Sequence, residues 1–131
     1  MSYVLSTTYQ NRWLDALLGS SKAAAMPATV YAHLYTDSPD LGGIELASDG
    51  GYAAVTLANT DANFPPASGG EKTSVDISWT FTGAASDEAT WGVISDGTDL
   101  IIGGPLTTRC NIGDAGGTFT DSLSMIFPDT P

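Results

Sequence analysis

Few residues in this chain could do chemistry, and their spacing limits what that chemistry is. His33 is the single histidine and Cys110 the single cysteine, so a nucleophile and base pair or a zinc site has almost nothing to draw on. A Ser-His-Asp set could still assemble in space, yet no G-x-S-x-G elbow positions a serine. His33, in mid-strand, reads as a packed or edge residue, and Cys110 as a small buried apolar group rather than a reactive thiol. The carboxylates are more numerous. Thr36-Asp37-Ser38-Pro39-Asp40, with Glu45 and Asp49 nearby, could offer oxygen ligands to calcium, but the run lacks the D-x-[DN]-x-[DN]-G spacing of an EF-hand. Asp87-Glu88 falls in a predicted loop, where acidic residues are ordinary solvated turn chemistry, and the separation that paired glycosidase carboxylates need is spatial. The many glycines form neither a G-x-x-x-x-G-K-[ST] run nor a helix-opening G-x-G-x-x-G, so no phosphate cradle is indicated. The expectation is a protein that is not an enzyme, with no catalytic residues, no cofactor and no metal.

The elements that would have to position these residues are mostly strands. One amphipathic helix stands near the start. Thr7 and Gln10 have capping-box spacing, Trp13, Leu14, Leu17 and Leu18 recur at helical intervals, and Gly19 is placed to end the helix. It either covers an open end of the fold or reaches into a neighbour. After a small-residue linker, residues 20–27, the pattern changes to period-two alternation bounded by Gly, Asp, Asn, Ser and Pro. Thr29 to Tyr35 puts Val30, Ala32 and Leu34 on one face and Tyr31, His33 and Tyr35 on the other, so this strand is expected to be covered on both sides. Tyr52 to Leu57 is a second strand. Val75, Ile77, Trp79 and Phe81 alternate with Asp76, Ser78 and Thr80, the pattern of a strand with one buried face. Trp91 to Ile94 and Leu100 to Ile102 flank a turn-rich Ser95-Asp96-Gly97-Thr98-Asp99 and read as a hairpin. Arg109 to Ile112 is a weaker candidate. Phe119 to Phe127 closes the chain with Phe119, Leu123, Met125 and Phe127 on one face.

Six or seven short strands joined by turns predict an all-β antiparallel β-sandwich, jelly-roll or Ig-like in order, with one short N-terminal helix. At 131 residues one core suffices. The predicted organisation is a single domain over 1–131, with 1–27 as helix and linker arm and 28–131 as the sandwich.

Charge narrows the partners. Fifteen Asp and Glu face four basic residues, a formal net charge of −11. Such a chain repels phosphate backbones and anionic membrane surfaces, so neither nucleic acid nor membrane is expected as a partner. The N-terminal MSYVLSTTYQ lacks the basic and apolar regions of a secretory signal, and no apolar run is long enough to span a bilayer. The expectation is folding in a cytoplasm without export through a cleaved signal. For contacts with a partner, the end helix and its tether supply the candidates Tyr9, Trp13, Leu17 and Pro27, because aromatic anchors carry much interface energy.

The order of segments resembles a family of small virion proteins of tailed bacteriophages, tail-fibre-like or capsid-decorating. The residues that carry the resemblance are Tyr31-Ala32-His33-Leu34-Tyr35-Thr36-Asp37-Ser38-Pro39, Gly50-Gly51-Tyr52-Ala53, Asn63-Phe64-Pro65-Pro66-Ala67-Ser68-Gly69-Gly70, Trp91-Gly92, and Gly104-Pro105-Leu106-Thr107-Thr108. The chain departs from the family at Gly92-Val93-Ile94-Ser95, where Asp96 stands one place later than the family's Asp. The resemblance implies a structural protein of the virion, and two roles compete. One is a capsid cement or decoration protein that binds the major capsid protein and stabilises the outer shell. The other is a tail-fibre or baseplate module that binds the host surface, with Asp37, Asp40 and Asp49 as loop contacts. Other virion proteins are the implied partners, and a homo-oligomer is compatible with either role.

Overall fold

The computed structural model describes residues 4–18 and 27–126. Among them lie nine strands and one α-helix: β1 (Val4–Leu5), α1 (Thr7–Leu17), β2 (Thr29–Tyr35), β3 (Val55–Ala58), β4 (Glu71–Thr73), β5 (Ile77–Phe81), β6 (Ala89–Ser95), β7 (Leu100–Cys110), β8 (Gly117–Asp121) and β9 (Ser124–Ile126). All pairings are antiparallel. One layer is a five-stranded sheet in the order β1-β7-β6-β2-β3. The other is a ribbon in which β4 pairs β9 and β5 pairs β8. The fold is the all-β sandwich with one short helix that the sequence pattern predicts.

The core sits between the layers. Val30, Ala32, Leu34 and Ile94 from the sheet meet Ile77, Trp79, Phe81, Phe119, Leu123 and Met125 from the ribbon, with Cys110 buried among them. Burial pushes the Cys110 thiol up to about 11, in keeping with a packing role. Trp79 packs within the ribbon, its ring 5.9 Å from that of its cross-strand partner Phe119, and ties the layers together where its indole N–H donates to the Ala32 carbonyl at 3.1 Å.

The ribbon explains one departure from the sequence pattern. Thr73 faces Ser124, whereas Ile77 faces Asp121, so three residues on one strand span two on the other. This is a β-bulge, and it reverses the phase of the alternation. Val75 therefore points outward and is exposed, although period two puts it with Ile77. Ser74 bridges the gap, because its hydroxyl accepts the Leu123 N–H at 2.8 Å while its own N–H reaches the Leu123 carbonyl. Phe127 and Gly19 lie outside the described residues. The second strand is shorter than predicted, Val55–Ala58 rather than Tyr52 to Leu57, since Tyr52 has another use described below. Arg109 and Cys110 end β7, and Ile112 lies beyond it.

The helix cap lies one residue before the predicted one. Ser6, extended at φ −62° and ψ 151°, is the N-cap, and its hydroxyl accepts the Tyr9 N–H at 3.3 Å; Thr7 is the first helical residue. The reason is β1, which pairs Val4 with Gly103 and Leu5 with Ile102, and so fixes where extended chain must stop. Thus part of the segment expected to be arm is the edge strand of the sheet.

Candidate functional site

Period two gives β2 and β6 a second face, turned away from the core. Tyr31 pairs with Ser95, His33 with Val93 and Tyr35 with Trp91, so these six side chains share the outer surface of the sheet. Val93 and Trp91 are nevertheless buried, and the chain between β2 and β3 covers them. It leaves β2 at Thr36, crosses the sheet, and returns along the same strand, with Tyr35 bridged to Glu45. Its far end brings Pro39 and Asp40 to Val93 and Gly103, where with Ser6 they line a pocket of about 90 Å³. Gly103 is what lets the indole of Trp91 lie flat here, since a Cβ would come within 2.9 Å of its Nε1.

The crossing segment is closely held. Thr36 N–H donates to the Ile44 carbonyl at 2.9 Å, Ile44 N–H to the Thr36 hydroxyl at 3.1 Å, and Gly43 N–H to the Ser38 carbonyl at 3.0 Å. Asp37 accepts the Ser38 N–H at 2.7 Å. Gly42 takes φ +84°, and at Gly43 a Cβ would overlap the Asp37 carbonyl, so both glycines are required by the backbone.

At the root of this segment four polar side chains meet. His33 Nδ1 lies 2.6 Å from Glu45 Oε2, and His33 Nε2 lies 2.7 Å from Ser95 Oγ. Tyr52 O–H donates to Glu45 Oε2 at 2.8 Å and accepts the Leu34 N–H at 2.9 Å. Residues 44–46 and β3 pair with different stretches of β2, and the Tyr52 hydroxyl fills the rung that neither supplies. Its ring meanwhile stacks on Phe81 in the core, centroids 6.0 Å apart. One proton arrangement satisfies every group with a neutral imidazole. Nδ1–H donates to Glu45, the Ser95 hydroxyl donates to Nε2, and Ser95 Oγ accepts the Gly97 N–H at 3.2 Å.

Ser95, His33 and Glu45 thus stand in the order of a hydrolytic triad. The sequence holds no motif for this, because the three converge only through cross-strand register and the return of residues 44–46. What a nucleophile further needs is a space for the acyl group beside Oγ and free N–H donors for an oxyanion. Ser95 is 4% exposed, the nearest turn amide, Gly97, already donates to Oγ, and Tyr31 packs over Gly97. The arrangement is that of a polar clamp holding residues 44–46 to the sheet.

The other expected site residues are spread out. Tyr9 is buried against its own chain and donates to Asp96 Oδ2 at 2.8 Å, while the Arg12 guanidinium lies 4.8 Å from its ring centre. Burial first, then the Asp96 hydrogen bond and charge, push the Tyr9 hydroxyl up to about 12. The backbone N–H groups of Asp99 and Thr98, and then Tyr9, hold the Asp96 carboxyl below its usual value. Tyr9 therefore serves to seat the helix, and among the described residues of that segment Trp13, Leu14 and Leu18 are the exposed large apolar ones. Pro27 is half-buried, with its carbonyl accepting from Asn59 Nδ2 at 2.9 Å; the side chain of Leu17 lies outside the described residues. Of the carboxylates considered for a cation, Glu45 is turned into the clamp, and among the described residues no three metal-ligating side chains form a cluster. Tyr9→Phe should cost about 1 to 2 kcal/mol, the range for a hydrogen bond to a partly solvated charge. Hydrogen exchange should then rise at residues 7–12 ahead of the sheet. Equal protection in both proteins would mean that the helix is held by something other than this bond.

Residues 4–125, almost the whole described fold, match the family described as podophage GP4 fiber I protein gp80. The chain belongs to that family. No curated protein sequence matches it. Membership makes it a structural virion protein of a tailed phage, which bears out the resemblance seen in the sequence.

Proposed function

We propose that the chain is a subunit of a podophage tail fibre, built into the particle outside the head and contributing to contact with the host surface. The observation that carries this is the family match over residues 4–125 to a fiber protein. It favours the fibre role over the capsid cement role. The fold agrees with a protein that works by shape. It is a two-layer sandwich whose triad-like cluster of Ser95, His33 and Glu45 is absorbed in holding a surface segment, and its acidic composition favours solubility and docking on basic partners. Virions separated into heads and tails, then probed with an antibody to the chain, should show it with the tails. Recovery on heads would reverse the choice and restore cement.

The same reading holds that the chain does no covalent chemistry. A fluorophosphonate probe, which phosphonylates activated serines, should leave Ser95 unlabelled in the folded protein. Labelling that disappears in Ser95→Ala would show a working nucleophile and sink this part of the proposal.

A further inference from the structure

Residues 36–45 place two large apolar side chains in water. Leu41 is 75% exposed and Ile44 63% exposed, and the hydrogen bonds and glycines described above fix the backbone that holds them. Ordering a mobile loop on binding costs affinity, and a loop already held in shape avoids that cost. The segment is anchored at its root by the His33, Glu45 and Tyr52 bonds and across the sheet by the Thr90 hydroxyl, which donates to the Thr36 carbonyl at 2.8 Å.

Charge decides what kind of surface can receive it. Asp40 is exposed beside Leu41, and Asp37 is exposed at the start of the turn. The chain has four basic residues against fifteen acidic. Of these, Arg109 is paired with Glu88 at 3.0 Å, Arg12 lies over Tyr9, Lys72 is half-buried, and Lys22 lies outside the described residues. A second copy, with its net charge of −11, would oppose Asp37 and Asp40 mainly with carboxylates. We infer that Leu41 and Ile44 form a docking knob for an apolar socket rimmed by Lys or Arg on a different protein of the same particle. The inference rests on the fibre-subunit reading and adds the attachment point and the chemistry of its partner.

The test uses particles purified from a phage strain that lacks the gene for this chain, mixed with the purified full chain and sedimented. Wild-type chain should bind saturably, and binding should weaken several-fold between about 50 and about 300 mM NaCl. Leu41→Asp with Ile44→Asp should lower the affinity by about tenfold or more. Because both side chains are exposed, the melting temperature should stay unchanged, and the milder Leu41→Ser with Ile44→Thr should show the same trend. Asp40→Asn should reduce the salt dependence. Equal binding by wild type and both double variants would overturn the knob. Salt-independent binding would overturn the basic rim. Loss of self-association in the double variant during analytical ultracentrifugation would overturn the heterologous partner in favour of a second copy. Absence of wild-type binding to the particles would overturn the fibre-subunit reading itself, which is a separate result.

Discussion

Trp79→Ala should cost about 3 to 5 kcal/mol, the range for truncating a large aromatic in a core, and lower the melting temperature by about 10 to 20 °C. Trp79 is 1% exposed and heads the fully buried side chains by volume. Its removal opens a cavity between the layers, next to Phe119, and leaves the Ala32 carbonyl without its cross-layer donor. Comparison with Trp91 separates the two contributions. Trp91 is also buried, but its Nε1 has no hydrogen-bond partner among the described residues, so replacement by Phe gives up ring volume without a bond. Trp79→Phe gives up both. Chemical denaturation should therefore show Trp79→Phe as the more costly change, by about 1 kcal/mol or more. Equal losses would mean that the Ala32 bond contributes nothing net and that packing alone joins the layers there.

The strand that Trp79 meets is legible in the sequence to its last residue, and the reason is physical. Thr29 to Tyr35 alternates strictly, and because that strand is central and covered on both faces, each residue has a definite place; its predicted limits match β2. The hairpin between β6 and β7 was readable from Asp96 to Asp99, where Asp96 Oδ1 accepts the N–H groups of Thr98 and Asp99 at 2.8 and 2.7 Å. By contrast, Glu71-Lys72-Thr73 has no apolar alternation and becomes a strand only by pairing with β9. Val75 departs from the period-two pattern because a bulge leaves no mark in hydrophobic period. Ser6 is not legible as the cap because two residues, Val4 and Leu5, are too few to announce a strand.

The outer face was legible only in outline. Aliphatic side chains on one face of β2 and large rings on the other indicate a strand covered on both sides, but not by what. That Ser95 lies within reach of His33 depends on which residue of β6 faces Tyr31. That Glu45 reaches the same imidazole depends on residues 37–43 turning back, which takes Gly42 at positive φ and Gly43 against Asp37. Single-residue features of this kind set the geometry of the clamp and of the knob that it supports, and neither is a periodicity.

Tyr52→Phe is expected to lose about 1 to 3 kcal/mol at neutral pH, the penalty for a buried donor left without its acceptor. The Leu34 N–H belongs to a fully buried residue and would have no replacement for the hydroxyl. Glu45 would lose one of its two donors, loosening the root of residues 36–45. The pH dependence gives a sharper signature. Burial foremost, and then the hydrogen bond and charge of Glu45, raise the Tyr52 pKa, while the Leu34 N–H works the other way. Tyr9 is raised to about 12, and Tyr35 is raised by burial and then by Glu45. A raised folded-state pKa means that the unfolded chain gives up its proton first. The stabilisation is therefore complete below about pH 10, the unfolded tyrosine value, and is lost as pH rises toward the folded values. Wild-type stability in urea should fall steeply above about pH 10. In Tyr52→Phe one contributor to that fall is gone, so the slope should be shallower by up to about 1.4 kcal/mol per pH unit. Parallel slopes for the two proteins would show that the Tyr52 hydroxyl is not held neutral by burial and Glu45. The clamp would then have to stand on His33 alone.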